Sequence, residues 1–362
     1  MDAHRNYMMR AIELAKKGIG AVNPNPLVGA VIIKDGRIIN EDYHHRYGEY
    51  HAERNAILNC HEDMTGATIY VTLEPCCHYG KTPPCTDAII HAGISTVYIG
   101  SRDPNPLVAG KGAQILRSHG ITVIEDFCRE ECDAINSVFF HYITKKTPFV
   151  ALKYAMTMDG KLATYTGASQ WITNESSRKH VHLLRHTYTA IMTGIGTVLA
   201  DNPMMNCRME GGRSPIRIVC DSQLSIPLDC KICKTAGEYP TIIACCHPKS
   251  EKVTALQSLG VQVIVVKEDH GHLDLQDLMK QLGEKHIDSI LLEGGQMLNY
   301  AALEAGIVQY LYCYIGAKLF GGISAFTPVG GQGVATPSDA FSITNTKISS
   351  FDGDILIEGT VK

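Results

Sequence analysis

The segment ATIYVTLEPCCHYGKTPPCTDAIIHAG (residues 67–93) contains a strand, a cysteine-rich loop and a helix in direct succession. Residues 67–73 have the β-branched and aromatic composition of a buried strand. Residues 85–93 have the composition of a helix that ends at a glycine. Upstream, LVGAVIIKDGRIIN (residues 27–40) has an Asp-Gly turn between two apolar runs, which predicts a hairpin. This alternation of strands and helices predicts a layered α/β sheet.

The domain organisation follows from the length and from one break in the pattern. A chain of 362 residues exceeds what one core ordinarily supports, so two domains are expected. The polar-proline break at Lys145–Pro148 marks the boundary, which gives domains of residues 1–146 and 147–362. Strand candidates from FVALKYA to YLYCYIG follow the break, with helical segments at residues 175–185 and 275–282. The second domain is therefore also predicted to be α/β.

The composition indicates a globular protein that acts on a small molecule. Apolar residues make up 45% and charged residues 19% of the chain, and no apolar run is long enough to predict a spanning helix. The stretch MDAHRNYMMRAIELAKKGIG is charged and helix-patterned, unlike a secretory leader, so a cytoplasmic location is expected. The 13 cysteines should then be thiols or metal ligands. A net charge of −4 without a basic run favours a small-molecule partner over nucleic acid.

The first domain carries a candidate catalytic zinc site. His51 and Glu53 stand in His-x-Glu order at the start of a predicted helix. Cys76 follows a proline after a strand, and Cys85 begins another predicted helix. Zinc deaminases combine His-x-Glu with Pro-Cys-x-x-Cys, and their glutamate carries protons rather than binding the metal. Here Tyr79 stands where the second cysteine would fall, so the predicted ligands are His51, Cys76 and Cys85, with a longer loop between the cysteines.

Three other interpretations of this cluster stay open. Cys77 and His78 lie nearer to Cys76, but they share its tight turn, and adjacent residues cannot easily both reach one tetrahedral ion. The cysteines could also be unrelated buried thiols, or ligands of a structural zinc. A structural zinc more often has four Cys or His ligands, and it leaves Glu53 without a role. The pattern favours a catalytic ion with one position open to water.

Four motifs carry a family resemblance in this half. NPNPLVGAVI, HAE, TLEPCCHYGKTPPC and RDPNPLVAGKG resemble those of the bifunctional pyrimidine deaminase–reductases of riboflavin biosynthesis, although that family commonly has serine at position 77. The resemblance implies a cytidine-deaminase-like three-layer domain in which zinc activates water and Glu53 moves a proton to the leaving amine. It also implies hydrolytic deamination of 2,5-diamino-6-ribosylamino-4(3H)-pyrimidinone 5′-phosphate. The implied contacts to the ring and phosphate are Asn25, His44, His78 and Lys81.

The second half contains LKYAMTMDGKLAT, GASQWIT, GIGTVLADNP and LLEGGQML. The last two are glycine-rich turns after strands, where a backbone can approach a phosphate at a helix N-terminus. GIGTVL lacks the third glycine of the Rossmann pattern, so a conventional dinucleotide fold is disfavoured. Together the four segments resemble the reductase domain of the same family. This implies a dihydrofolate-reductase-like α/β fold and NADPH as the cofactor.

The resemblance also implies roles for individual residues of this half. Those implied to line the cofactor are Ala155, Trp171, Thr197, Asp201, Ser222, Gly295, Gln296, Met297, Leu298, Asn299, Tyr300 and Ala301. Those implied to bind the substrate are Lys153, Ser169, Arg185, Met205, Arg208 and Glu293. NADPH would reduce carbon 1 of the opened ribosyl group to give a ribityl chain. Arginine forks suit the 5′-phosphate, and Lys153 or Glu293 would assist proton movement.

The expected protein is therefore a bifunctional enzyme that uses Zn²⁺ and NADPH. Because both domain types often assemble, a homo-oligomer is expected. One alternative is a nucleic-acid or nucleoside deaminase with an appended domain, against which the acidic net charge counts. Another is a zinc-stabilised binding protein without turnover, which leaves Glu53 unexplained.

Overall fold

The computed structural model describes residues 3–80, 82–105 and 108–362. The chain divides into two compact units, Met1–Lys146 and Thr147–Lys362. Both units are α/β, as the alternation of strands and helices predicts. In the described part of the chain, no helix has the length and apolar character that crossing a membrane requires.

The first unit is a five-stranded sheet with helices on both faces. Its elements are α1 (Ala3–Ala15), β1 (Gly29–Lys34), β2 (Arg37–Tyr43), α2 (Ala52–Leu58), β3 (Thr68–Leu73), α3 (Cys85–His91), β4 (Thr96–Ser101), α4 (Lys111–Ser118), β5 (Thr122–Ile124), α5 (Arg129–Ala134) and α6 (Ser137–Lys145). The strand order is β2-β1-β3-β4-β5. β1 is antiparallel to both neighbours, whereas β3, β4 and β5 are parallel.

Strand β1 shows how the sequence builds three layers. Ala30 and Ile32 pack in one apolar cluster with residues of α2, α3 and α4, whereas Val31 and Ile33 pack with α1 on the opposite face. Because side chains alternate along a strand, an uninterrupted apolar run is required when both faces are covered. Asp35–Gly36 has φ values of 50° and 75°, the positive values that a two-residue hairpin turn needs. The predicted hairpin is therefore confirmed.

The second unit is built on a nine-stranded sheet. Its elements are β6 (Phe149–Thr157), α7 (Glu175–Thr187), β7 (Ala190–Gly194), α8 (Ile195–Asp201), β8 (Ile216–Cys220), α9 (Lys231–Lys234), β9 (Thr241–Cys245), α10 (Ser250–Ser258), β10 (Val261–Val265), β11 (Glu268–Asp269), β12 (His272–Leu273), α11 (Leu275–Glu284), β13 (Ser289–Leu292), α12 (Gln296–Glu304), β14 (Tyr310–Gly316), β15 (Ile343–Phe351) and β16 (Asp354–Val361). The order is β10-β9-β8-β7-β13-β6-β14-β16-β15, and β11 and β12 form a separate ribbon.

The central strands of this sheet run in parallel. β13 lies between β7 and β6 and is parallel to both, so their carboxyl ends meet at one edge of the sheet. Ligands in such sheets bind outside this edge. The two glycine-rich turns follow β7 and β13 and therefore lie side by side. The segment TGIGTVLADNP was predicted to be a turn. In the structure most of it is helical, because α8 begins directly after Gly194.

Candidate active sites

Three metal-ligand side chains converge in the first unit. His51 is the N-cap of α2, Cys76 lies in the loop after β3, and Cys85 is the first residue of α3. The Nδ1 atom of His51 lies 3.4 Å from the sulfur of Cys76 and 3.5 Å from that of Cys85. Ligand atoms of all three lie within 4.8 Å of one another, and they form the one such group of three or more that the described residues contain. The structure brings together the predicted ligand set without Cys77.

The loop that carries Cys76 is anchored by α4. The carboxylate of Glu74, which is only 4% exposed, accepts hydrogen bonds from the N–H groups of Gly110 at 3.0 Å and Ala113 at 3.3 Å. A side chain at Gly112 would place its Cβ 2.2 Å from the carbonyl oxygen of Pro75. Only glycine allows the helix to approach the loop this closely. The position of Cys76 is thus fixed by contacts within the protein.

The electrostatics of the cluster suit a cation. Hydrogen bonds from Cys85 and His51 lower the pKa of Cys76 to about 4, against the effect of burial. The pKa of Cys85 is raised well above its usual value by its hydrogen bond with Cys76 and by burial. The surroundings therefore favour the thiolate form of Cys76, the form that binds a metal ion. Two sulfurs and an imidazole nitrogen form a typical three-ligand catalytic zinc set, so the residues present fit the predicted ion.

Glu53 lies beside this cluster and is 3% exposed. Burial, with a smaller contribution from Cys76, raises the pKa of Glu53 to about 7. A carboxyl group with such a pKa can both accept and release a proton near neutral pH. The geometry and the pKa suit the predicted proton carrier.

A cavity of about 270 Å³ opens onto the cluster, lined by His51, Glu53, Cys76 and three further predicted residues, Asn25, His44 and His78. Nδ1 of His44 lies 3.0 Å from the carbonyl oxygen of Tyr50 and must donate to it, so Nε2 accepts from Nδ2 of Asn25 at 3.1 Å. Burial lowers the pKa of His44. The ring is therefore a neutral part of the cavity wall. Lys81 lies outside the described residues.

The sequence reasoning missed three polar residues of this cavity wall, two of which are acids. Glu74, Asp103 and Asn105 also line it. Burial raises the pKa of Asp103 to about 6, and one of its oxygens accepts the N–H of Asn105 at 2.8 Å. Asp103 and Asn105 belong to the quoted motif RDPNP, which follows β4 directly. Polar residues immediately after a parallel strand were the available signal.

The second cavity, of about 260 Å³, lies in the second unit. It brings together the predicted residues Lys153, Ala155, Ser169, Trp171, Arg185, Arg208 and Glu293. At its centre, Nε and Nη2 of Arg185 donate to the two carboxylate oxygens of Glu293 at 2.7 and 3.0 Å. Nζ of Lys153 lies 3.4 Å from the same carboxylate. The fork of Arg185, which was expected to suit a phosphate, is occupied by Glu293.

Glu293 is strongly held in its ionised form. Burial alone would raise its pKa, but the charges of Arg185 and Lys153 outweigh burial and lower the pKa to about 2. The side chains of Lys153, Arg185 and Glu293 are 13%, 15% and 15% exposed, so water screens their interaction weakly. The three residues form a fixed, net-cationic group in the cavity wall.

The remaining predicted residues do not line this cavity. The side chain of Met205 is buried in an apolar cluster with Ile191 and Val198. The predicted cofactor residues outside the cavity lie on or directly after elements at the carboxyl edge of the sheet: Thr197 and Asp201 on α8, Ser222 after β8, Gly295 before α12, and Gln296, Met297, Leu298, Asn299, Tyr300 and Ala301 on α12. These residues form a second group beside the cavity-lining set.

The two glycine-rich turns form a surface that fits a phosphate-bearing cofactor. A Cβ at Gly295 would lie 3.5 Å from Oγ1 of Thr197, and one at Gly196 would meet no described atom within 4 Å. The backbone is therefore accessible where the N-terminus of α12 presents N–H groups without partners inside the helix. Oδ1 of Asn299 is buried and has no hydrogen-bond partner among the described residues. A bound group that brings donors to this turn would satisfy it.

Helix α7 contributes residues that the sequence reasoning missed. Arg178, Val181 and His182 line the cavity together with Arg185. These positions have the spacing i, i+3, i+4 and i+7, which places them on one face of a helix. Helical periodicity counted back from Arg185 was the signal that could have identified them.

Two family models match the chain, namely the RibD C-terminal domain over residues 148–357 and the cytidine and deoxycytidylate deaminase zinc-binding region over residues 1–101. Riboflavin biosynthesis protein RibD of Actinobacillus pleuropneumoniae is 55% identical, over 98% of this chain and 95% of that protein. RibD of Aquifex aeolicus is 41% identical, over 98% of each. The crystal structure of a diaminohydroxyphosphoribosylaminopyrimidine deaminase/5-amino-6-(5-phosphoribosylamino)uracil reductase from Thermotoga maritima matches with a TM-score of 0.88 and 40% identity, over 99% of each chain.

Proposed function

This chain belongs to the RibD family of riboflavin biosynthesis proteins, and on that premise we propose that its two units act in turn on one phosphoribosyl-pyrimidine. It is a zinc-dependent deaminase and an NADPH-dependent reductase, which confirms the predicted resemblance and fold class. The proposed substrate is 2,5-diamino-6-ribosylamino-4(3H)-pyrimidinone 5′-phosphate. It loses its 2-amino group as ammonia, and the ribosyl group of the product is then reduced to ribityl.

We assign the deamination to the cavity of the first unit. His51, Cys76 and Cys85 would hold the zinc ion, which when bound supplies an activated water as the nucleophile. Glu53 accepts a proton from the attacking water and delivers it to the departing amine, so that the carboxyl group returns to its starting state. Asn25 binds the pyrimidine ring through the amide hydrogen that His44 does not accept, and the neutral ring of His44 holds that amide in position. Glu74 keeps the Cys76 loop in place through α4.

We assign the reduction to the cavity of the second unit. NADPH, held by the turns after β7 and β13 and the N-terminus of α12, supplies a hydride when bound. The hydride is received at carbon 1 of the ribosyl group, and the ring oxygen gains a proton as the ring opens. Glu293 cannot donate this proton, because Arg185 and Lys153 keep it ionised with a pKa of about 2. The ammonium group of Lys153 is therefore the proposed donor, and Glu293 orients it.

The proposal rests on one observation: each unit has its own group of site residues. The first unit has the three metal ligands with Glu53, and the second has the Arg185–Glu293–Lys153 group. The test uses the full chain with the phosphoribosyl substrate and measures ammonia release and NADPH oxidation. Glu53→Gln should abolish ammonia release but leave NADPH oxidation intact when the deaminated compound is supplied. Lys153→Met should abolish NADPH oxidation but leave ammonia release intact. Loss of both activities in either variant, with the fold intact, would contradict two separate sites.

We also propose a cytoplasmic homo-oligomer that acts on a small molecule and not on nucleic acid. The net charge of −4 supports the choice of ligand. All 13 cysteines are free of disulfides, which supports a reducing compartment. Light scattering coupled to size-exclusion chromatography tests the assembly, and a mass of 39.6 kDa would contradict it.

A further inference from the structure

His182 lies on the cavity-facing side of α7 and has no part in the reaction described above. It sits between Arg178 and Arg185 on the helix face that lines the second cavity. The ring is half-buried. Its position among residues assigned to the substrate prompts the question of what it binds.

The backbone fixes which nitrogen of His182 carries a proton. Nδ1 of His182 lies 3.3 Å from the backbone nitrogen of Arg208, which can only donate. Nδ1 is therefore an acceptor, and the hydrogen of the neutral ring resides on Nε2. Within the described residues Nε2 makes no hydrogen bond. It remains as a donor for a ligand in the cavity.

The surrounding charges favour the neutral ring. Burial and the neighbouring cations Arg185 and Arg208, with Lys153 contributing less, lower the pKa of His182 to about 4, although Glu293 acts in the opposite direction. His182 is therefore a donor without charge at neutral pH.

Arg185 and Arg208 are the two arginines whose charges act on His182, and of these Arg208 has the less engaged guanidinium. Arg185 is occupied by Glu293 through two nitrogens and by the carbonyl oxygen of Asn206 through the third, at 3.0 Å. Arg208 is exposed and makes one long contact, 3.4 Å from Nη1 to Oδ1 of Asn206. The hydrogen bond from the backbone of Arg208 to His182 holds the two residues side by side. Together they form a corner with one charged and one neutral donor.

We propose that His182 is a further substrate-binding residue of the reductase site, and that its Nε2–H donates to an oxygen of the 5′-phosphate that Arg208 also binds. The proposal rests on the proposed function, since it requires a phosphoribosyl substrate. A dianion accepts several hydrogen bonds at once, so a fixed neutral donor beside a guanidinium complements it without adding repulsion between cations. His182 then contributes to selection of phosphorylated over unphosphorylated substrates.

The test compares two substrates in the full-length protein with saturating NADPH. These are the deaminated phosphoribosyl compound and the same compound without its phosphate. His182→Leu should raise the KM for the phosphorylated compound about 10-fold or more, which is the effect expected when a hydrogen bond to a charged group is lost. It should leave kcat/KM for the compound without the phosphate unchanged. His182→Gln, which keeps a donor, should recover part of the loss. Inhibition by ribose 5-phosphate should weaken in parallel.

His186→Leu is the matched control, because Nδ1 of His186 also accepts a backbone N–H, that of Arg213 at 2.9 Å, and the residue does not line the cavity. It should leave both KM values unchanged. Equal losses on both substrates in His182→Leu, or no loss on either, would overturn the phosphate assignment. If His182→Leu does not fold, His182→Phe, which keeps an aromatic ring but has no donor, takes its place, and wild-type affinity for ribose 5-phosphate in that variant would overturn the assignment. A wild-type protein that reduces neither compound would instead refute the proposed function.

Discussion

Replacement of Glu293 by glutamine should destabilise the second unit by a predictable and pH-dependent amount. The carboxylate of Glu293 is buried, and Arg185 and Lys153 lower its pKa from 4.5 to about 2 despite burial. A shift of this size corresponds to about 3 kcal/mol of favourable charge interaction at pH 7. Glu293→Gln removes the negative charge and leaves two cations adjacent in a weakly solvated site. We expect a loss of about 3 kcal/mol in the free energy of unfolding at pH 7.

The sign of the pH dependence follows from the lowered pKa. The carboxylate contributes its full stabilisation above the unfolded value of about 4.5, and this contribution is lost as the pH falls through the folded value of about 2. The penalty of Glu293→Gln should therefore fall to about half by pH 3.

The only tryptophan of the chain makes this measurement selective. Trp171 lies in the second unit, lines the same cavity and is 54% exposed, so its fluorescence during urea unfolding reports that unit. Glu304→Gln is a suitable control, because Glu304 is an exposed acid of the same unit whose carboxylate accepts one hydrogen bond within the described residues, from the hydroxyl of Tyr300. It should change stability by less than about 0.5 kcal/mol. A penalty below about 1 kcal/mol at pH 7 for Glu293→Gln, or one that does not change between pH 7 and 3, would refute the reasoning.

Three further predictions concern the first unit. Glu53→Gln should lower ammonia release by at least about 100-fold, because the proton carrier is lost, while metal analysis still finds zinc; zinc loss in this variant would mean that the carboxylate binds the metal. Cys85→Ala should lose both zinc and ammonia release, whereas Cys77→Ala should retain both, as measured by elemental analysis and an ammonia assay; equal effects of the two substitutions would exclude the assigned ligands. Gly112→Ala should cost about 1–3 kcal/mol in thermal unfolding and weaken zinc retention during dialysis, because its Cβ would lie 2.2 Å from the carbonyl oxygen of Pro75; a wild-type melting temperature would contradict the close packing of α4.

The parts of the fold that could be predicted were those with local signals. The apolar runs of β1 and β3 and the Asp-Gly turn at residues 35 and 36 can each be recognised from a few consecutive residues. The hairpin of β15 and β16 was missed, although Asp352–Gly353 has the same turn signal, with φ values of 47° and 96°. Most of β15 is exposed and polar, so it lacks the apolar alternation on which strand prediction depends.

Some residues of the candidate sites could likewise be predicted from local sequence, and others could not. His51, Cys76 and Cys85 could be proposed because their chemistry is rare and their spacing is distinctive. The pairing of Arg185 with Glu293 could not be foreseen, because 108 residues separate them and neither residue type has a unique partner. Met205 was implied as a substrate contact, but its side chain packs in the apolar core. Such outcomes depend on the tertiary neighbours of a residue, which a single sequence does not contain.

The attachment of Glu74 to the start of α4 has a practical consequence for handling the protein. Small zinc-finger domains unfold on chelation because the ion supplies their folding energy. Here the carboxylate of Glu74 holds the ligand-bearing loop through two backbone N–H groups, and Cys85 is packed in the interior among protein atoms. The first unit should therefore keep its shape in a chelating buffer and regain deaminase activity when zinc is returned. Stocks could be stripped and reloaded with cobalt as a spectroscopic reporter without a refolding step.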